Sequence, residues 1–333
     1  MKIAIFGYYN SLNAGDDRIQ YCLTRIFQGN TVVFLPHYLP PPINYLNTFD
    51  WILIGGGGLV FERVGIWLNI NKWIKKIHAH IGVLGIGVNH IDEPLYYDLC
   101  SLISRSSFFF VRDTTSKKML DNNPKIEVYP DISWSFPIAD FSYSHTNKKT
   151  LTESIALNLT PCPWKIFEPD KWINKMNNLN VYPFPLCYGK DRDFDLLKKY
   201  FCTNVPQEFS LIPLLHSHIM VGCRYHAITF AMQLRKPFIA INYDDKVYRL
   251  LSDIALLELC LETTEYEQII DKINFTLNNK NEVLGKIETY ALQQENSSKL
   301  MIKLIKEIMQ ASPISKRKLF IGKINRIKNT FRK

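Results

Sequence analysis

Several signatures of common protein classes are missing from the sequence. It contains no G-x-G-x-x-G dinucleotide fingerprint and no G-K-[ST] phosphate-binding loop. The seven cysteines are scattered and never spaced as C-x-x-C, which argues against a disulfide framework or a zinc ribbon and predicts reduced thiols in the cytoplasm. No apolar run approaches the length that spans a bilayer, and the first residues do not predict a secretory signal.

The remaining composition is that of a globular protein. Of the 333 residues, 47% are hydrophobic and 21% are charged, which is enough apolar material for two domains of ordinary size. The formal net charge of +9 is concentrated in residues 311–333, which carry eight basic side chains and no acidic one. The rest of the chain is nearly neutral and has no nucleic-acid reader motif, so we expect no nucleic-acid partner.

Residues 311–333 form a basic amphipathic tail. Its apolar residues fall near one helical face, with lysines and arginines around them: Phe320, Ile324, Ile327 and Phe331. This pattern is typical of a helix that lies on an anionic lipid surface, so peripheral contact with the inner face of a membrane is one hypothesis. A solvated basic end is the alternative interpretation.

Short apolar runs that alternate with helical patterns predict an α/β fold. One series of strands and helices begins at residues 2–7, and a second begins at residues 154–159. The chain then reads as helical from about residue 246 to residue 310. Two such series predict two Rossmann-like domains that face a central cleft. The predicted bounds are 1–140 for the N-terminal domain, 141–150 for a linker, 151–310 for the C-terminal domain and 311–333 for the tail.

The strongest local signal for function is the stretch 219–231. A β-branched run ends at Gly222, and helical spacing follows His226. Arg224 and His226 therefore fall between the carboxyl end of a strand and the amino end of a helix, where open α/β sheets bind ligands and where an anion is favoured. The pattern indicates an anionic substrate handled by an acid/base group. A structural ion pair for Arg224 and a capping role for His226 are the alternatives.

Arg112 occupies the same kind of position in the first half of the chain. It follows the apolar run 108–111 and precedes a predicted helix. Two arginines could grip a carboxylate and a phosphate, because each guanidinium binds such an anion through two hydrogen bonds.

A run of four glycines, Gly55 to Gly58, is predicted to form a loop after the third strand. Such a loop would let the backbone approach a ligand, although glycine turns also serve to pack a helix close to a sheet. His78 and His80 have no apparent third ligand nearby in the sequence, so no metal site is predicted.

Taken in order, these motifs resemble those of the polysaccharide pyruvyl transferase family. The matching pieces cover residues 3 to about 250: Gly7 to Asp17, Gly55 to Leu59, Val111 to Asp113 with Ser116, Pro130-Asp131, Gly222 to Ala227 and Tyr243 to Lys246. Tyr225 departs from the leucine that relatives usually carry between the arginine and the histidine.

The resemblance implies a glycosyltransferase-B-like arrangement and a reaction. Pyruvate would move from phosphoenolpyruvate, a co-substrate, onto two hydroxyls of a sugar and form a cyclic ketal. The acceptor would be a cell-surface polysaccharide or its lipid-linked intermediate, and no cofactor or metal would be needed. His226 would transfer protons, since an imidazole titrates near neutrality.

The resemblance also implies which residues bind substrate. The donor-binding set is Arg112, Arg224, Tyr225 and Ser116. The acceptor-binding set, expected to come from the first domain, is Asn13, Asp16, Asp17, Gly56 and Gly57. Further candidates for the cleft are Asp113, Asp131, Tyr243 and Lys246.

Two other functions fit the same pattern. Two Rossmann-like domains with glycine-rich segments also serve glycosyltransferases that use a nucleotide sugar, because a fold does not determine a function. A protein of the same fold could also bind glycans without catalysing a reaction.

Overall fold

The computed structural model describes residues 1–61, 63–141, 154–161, 180–188, 192–201, 204–262 and 266–312. The chain forms two compact units. Unit 1 comprises Met1–Tyr9, Cys22–Ile132 and the chain from Ser297, and unit 2 comprises Asn10–Tyr21 and Ser133–Asn296. The units therefore interleave along the chain, whereas the predicted domains were consecutive. Apart from residues 141, 311 and 312, the predicted linker and tail lie outside the described residues.

Unit 1 is built on a parallel sheet of six strands in the order β2-β1-β3-β4-β5-β6. The strands are β1 (Lys2–Gly7), β2 (Thr31–Pro36), β3 (Trp51–Val60), β4 (His80–Val88), β5 (Phe108–Val111) and β6 (Ile126–Val128). The helices that lie between these strands in the sequence are α1 (Ala14–Ile26), α2 (Ile43–Leu46), α3 (Ile70–Ile74), α4 (Glu93–Arg105) and α5 (Thr114–Lys118), and the part of α1 up to Tyr21 belongs to unit 2. The central strands are apolar on both faces, as expected for a parallel sheet covered by helices.

The glycine run differs from its prediction, because it lies inside strand β3 and not in a loop after it. The strand continues to Val60 and pairs with β4, with a register shift between Gly57 and Val60. Gly55 and Gly57 have φ values of +142° and +86°, which side chains rarely adopt. A run of glycines predicts the end of a strand, but here glycine allows an irregular strand to continue.

Unit 2 is built on a second parallel sheet, in the order β11-β10-β9-β7-β8. Its strands are β7 (Ser154–Asn158), β8 (Asn180–Pro183), β9 (Ile219–Gly222), β10 (Phe238–Ile241) and β11 (Cys260–Leu261). The helices that follow β8 are α6 (Asp193–Phe201), α7 (Ile212–His216), α8 (Tyr225–Gln233), α9 (Asp245–Asp253), α10 (Tyr266–Asn278) and α11 (Lys280–Ala311). Strand β11 corrects the prediction that the chain is only helical after residue 246. Two residues are too few to show a strand period.

The predicted fold class is confirmed as two α/β units with parallel sheets, followed by C-terminal helices. In each sheet the carboxyl ends of all strands meet at one edge, where ligands bind in proteins of this class. Within the described part of the chain, no helix is both long enough and apolar enough to cross a membrane.

Candidate active site

Arg224 lies at the carboxyl edge of the sheet in unit 2, between β9 and α8. It is the residue that precedes the first turn of α8, in an extended conformation with φ −75° and ψ 139°. Its backbone N–H donates a hydrogen bond to Asn158 Oδ1 at 3.0 Å. Asn158 is the last residue of the neighbouring strand β7 and is fully buried. The strand–turn–helix geometry predicted for Arg224 is therefore present.

The Arg224 guanidinium is held by a buried carboxylate. Its Nε donates to Asp193 Oδ2 at 2.7 Å, and its Nη2 donates to Asp193 Oδ1 at 2.6 Å. Nη2 also donates to Thr160 Oγ1 at 3.2 Å. Burial by itself would lower the pKa of Arg224, but the Asp193 carboxylate outweighs it and raises that pKa above its ordinary value. The structural ion pair considered from the sequence is therefore real, and its partner is Asp193.

His226 is the second residue of α8 and is half-buried. Its imidazole packs directly against Gly15, the second residue of α1. A Cβ added to Gly15 would lie 2.9 Å from His226 Cβ and closer still to Cγ and Nδ1. The ring of Tyr225, which is almost fully buried, lies edge-on to the imidazole with 5.3 Å between the centroids. The position of the imidazole is thus defined by a glycine that has no room for a side chain.

The segment that contains Gly15 is attached to unit 2 by backbone hydrogen bonds. Ala14 N–H donates to the Leu186 carbonyl at 2.7 Å, and Tyr188 N–H donates to the Leu12 carbonyl at 2.8 Å. Three acceptor candidates therefore belong to the same unit as His226, and not to the other unit as predicted: Asn13, Asp16 and Asp17. Asn13 Oδ1 accepts from Gly15 N–H at 3.0 Å. Burial raises the pKa of the Asp17 carboxyl.

Tyr243 and Lys246 follow β10, the strand next to β9 in the sheet. The Lys246 ammonium lies 5.2 Å from the centroid of the Tyr243 ring and 2.9 Å from Asp244 Oδ2. Asp244 also caps α9, because its Oδ1 accepts from Lys246 N–H at 3.1 Å. Tyr243 is close enough to Arg224 to affect its pKa. Two cations, a phenol and an imidazole therefore follow neighbouring strands of unit 2.

Arg112 lies at the corresponding edge of the sheet in unit 1. Its side chain is only 3% exposed and forms ion pairs with Asp131 Oδ2 at 3.5 Å and with Asp113 Oδ2 at 3.7 Å. The guanidinium passes over Gly87 in β4, where an added Cβ would lie 2.6 Å from Arg112 Nε. An added Cβ on Gly58 would lie 3.7 Å from Arg112 Nη2 and 3.2 Å from Asn89 Nδ2. Arg112 Nη2 and Asn89 Nδ2 therefore lie close to the backbone of β3 at Gly58, where there is no side chain.

The other candidates in unit 1 make contacts within the fold. Ser116 is fully buried, and its hydroxyl accepts from Val88 N–H at 2.9 Å at the end of β4. Asp113 caps α5 by accepting from Ser116 N–H at 2.6 Å. Gly56 and Gly57 are buried within β3. Substrate binding by these four residues stays a prediction.

Sequence reasoning named the ion-pair partners of Arg112, because Asp113 and Asp131 were among the cleft candidates, but it missed the partners of Arg224. Asn158 and Asp193 were not among the candidates. Asn89, whose side chain lies beside Gly58, was not among them either. Asn158 could have been identified from the sequence, because it is a polar residue at the end of an apolar strand. Arg112 and Arg224 are in a similar place, one and two residues after the ends of their strands. Asp193 had no such signal, because it lies 31 residues before its partner Arg224.

Comparisons with solved structures show the fold. S. aureus MnaA in a co-structure with UDP has a TM-score of 0.60 and 8% identity, and the match covers 94% of this chain and 98% of that one. A putative UDP-N-acetylglucosamine 2-epimerase from Listeria monocytogenes has a TM-score of 0.59 and 10% identity, with 94% and 97% covered. The UDP-GlcNAc 2-epimerase from Methanocaldococcus jannaschii has a TM-score of 0.56 and 10% identity, with 92% and 100% covered. These similarities establish a glycosyltransferase-B-like fold.

Sequence comparison establishes the family. No curated protein matches the chain significantly. The family model for polysaccharide pyruvyl transferase matches residues 13–245, a range that includes Arg112 in unit 1 and both Arg224 and His226 in unit 2. The chain belongs to the polysaccharide pyruvyl transferase family.

Proposed function

We propose that the protein transfers the pyruvyl group of phosphoenolpyruvate onto two hydroxyls of a sugar and forms a cyclic ketal. The acceptor is a cell-surface polysaccharide, as in an exopolysaccharide or a capsule, or its lipid-linked intermediate. Membership of the family supports a transferase that acts in polysaccharide biosynthesis. The donor and the ketal chemistry are the proposed steps.

The proposed reaction balances with these substrates alone. The two hydroxyl oxygens of the sugar form bonds to the enol carbon of phosphoenolpyruvate, and the bond from that carbon to the phosphate oxygen breaks. One hydroxyl proton goes to the methylene carbon, which becomes a methyl group, and the other leaves with the phosphate. A single acid/base group beside the enol can transfer these protons.

The placement of Arg224 and His226 carries the proposal. Arg224 immediately precedes α8 and His226 is in its first turn, so a cation and an imidazole lie at the amino end of a helix. A donor that has both a carboxylate and a phosphate suits such a position. In the proposal Arg112 and Arg224 bind the donor, His226 shuttles protons, and the segment from Asn13 to Asp17 contacts the acceptor.

A cytoplasmic location, with the basic tail at the inner face of the membrane, suits a lipid-linked acceptor. This part of the proposal rests on the charge pattern of residues 311–333.

The test is incubation with phosphoenolpyruvate and a panel of lipid-linked saccharides. We expect phosphate release together with a pyruvyl group added to the acceptor, read by mass spectrometry. His226→Ala should abolish turnover and leave phosphoenolpyruvate binding largely intact. His78→Ala is a matched control. His78 is exposed and lies just before the first residue of β4, at the amino edge of the sheet in unit 1, whereas ligands bind at the carboxyl edge. Full activity of the His226 variant would refute the role of the imidazole.

A second candidate function is transfer of a sugar from a nucleotide donor. It is favoured by the fold shared with S. aureus MnaA, whose structure contains UDP. Nucleotide release from activated sugars, with no phosphate release from phosphoenolpyruvate, would select it. Saccharide binding without turnover of either donor would instead indicate a glycan-binding protein.

A further inference from the structure

We infer that Asp193 is a positioning residue, which orients Arg224 so that only its Nη1 edge faces the donor. The inference rests on the proposed function for the identity of the donor. From the sequence we expect the Arg224 guanidinium to bind an anion through any two of its nitrogens. In the structure Nε and Nη2 already donate hydrogen bonds to Asp193, so Nη1 is the nitrogen that is left for the donor.

Asp193 is built into the fold independently of Arg224. Its Oδ2 accepts from the backbone N–H groups of Leu186 and Cys187, each at 3.1 Å, and from Asn158 Nδ2 at 3.3 Å. Its side chain has no exposed surface. A carboxylate with this many donors is fixed in place before any substrate binds, so it can act as a template for the guanidinium.

The Nη1 side of the Arg224 guanidinium is available to bind a ligand. Nε and Nη2 donate to Asp193, and Nη2 also donates to Thr160. Nη1 makes no hydrogen bond to any residue in the described ranges, and the Arg224 side chain retains 16% exposure. A planar guanidinium held along one side has a defined direction on the other, so its remaining N–H groups point at one place.

The ion pair also changes the electrostatics of the site. The charge of Arg224 is balanced by Asp193, so donor recognition at this point depends more on the direction of the Nη1 hydrogen bonds than on net charge. A positioning residue controls the direction of these hydrogen bonds. Asp193→Asn should remove that control, because the NH₂ group of the amide would face the N–H groups of Arg224.

The main test is a double-mutant cycle on phosphoenolpyruvate binding and turnover. Asp193→Asn should weaken phosphoenolpyruvate binding by about 10-fold or more, the order of magnitude expected when a hydrogen bond that involves a charged group is lost. The loss should appear in KM for the donor, with KM for the acceptor unchanged. In an Arg224→Gln background, Asp193→Asn should have no further effect on donor binding but should raise the melting temperature, because it removes a buried negative charge that no longer has the Arg224 cation beside it.

Asp98→Asn is the matched control. Asp98 is also a buried carboxylate that holds an arginine, with Arg63 Nε and Nη2 each 3.0 Å from its Oδ2, but it lies in unit 1, where its hydrogen-bond partners are Arg63 and Asn71. Its substitution should lower stability without changing donor affinity. An equal loss of donor binding from Asp193→Asn in both Arg224 backgrounds, or no loss in either, would overturn the inference.

A second measurement does not depend on the donor. Phenylglyoxal reacts with guanidinium groups, and the modification of each arginine can be followed by mass spectrometry. Asp193→Asn should speed the modification of Arg224 severalfold relative to Arg63, since the guanidinium is released. An unchanged ratio would overturn the inference. If the unsubstituted protein binds no phosphoenolpyruvate, the proposed function fails, and this ratio still decides whether Asp193 holds Arg224.

Discussion

Gly15→Ala tests whether the position of His226 matters for catalysis. The added methyl group would lie 2.9 Å from His226 Cβ and closer to two ring atoms, where an ordinary contact is about 3.5–4.0 Å. The imidazole must therefore move by about 1 Å or more, because Gly15 is fixed by its neighbours Asn13 and Ala14. A displacement of about 1 Å in an active site can cost about 10²-fold in rate.

We therefore expect kcat to fall by about 10²-fold, with the affinity for phosphoenolpyruvate nearly unchanged. The free energy of unfolding should fall by about 0–2 kcal/mol, since the helix propensity gained from alanine is about 1 kcal/mol and the overpacking cost is about 1–3 kcal/mol. The assay is phosphate release from phosphoenolpyruvate with the acceptor present, beside equilibrium binding of the donor.

Gly285→Ala is the matched control for this substitution. Gly285 lies in α11, and an added Cβ there would meet no atom within 4 Å. It should gain the same helix propensity and keep full activity. A Gly15→Ala variant as active as this control would refute the claim that the imidazole needs its present position.

Three further predictions concern other parts of the molecule. Burial lowers the pKa of His37, partly offset by the Gly7 carbonyl, so the unfolded chain binds a proton more readily. The free energy of unfolding in urea should therefore fall as the pH drops below about 6.5, and His37→Phe should flatten that dependence. Gly87→Ala would place a Cβ only 2.6 Å from Arg112 Nε, so it should displace the Arg112 guanidinium. It should therefore weaken phosphoenolpyruvate binding, measured by calorimetry. Deletion of 312–333 should reduce sedimentation with anionic vesicles, and unchanged sedimentation would remove the tail from the proposal.

The sequence by itself determined the fold class and the placement of the main candidates. Apolar runs and helical spacing are local properties, so they predicted that Arg112 and Arg224 follow buried strands, as both do. The family resemblance rested on ordered local motifs as well, and the family model confirms it over residues 13–245.

Tertiary structure decided what those residues contact. Asp193 forms an ion pair with Arg224, which lies 31 residues further along the chain. Gly15 contacts His226 because backbone hydrogen bonds attach the segment around Gly15 to residues 186–188. Tertiary structure also kept the glycine run inside β3, where pairing with β4 stabilises a backbone that glycine alone permits. A periodic pattern reports which face of an element is buried. The partner on the other side is selected by packing and hydrogen bonding between distant segments, which no local pattern encodes.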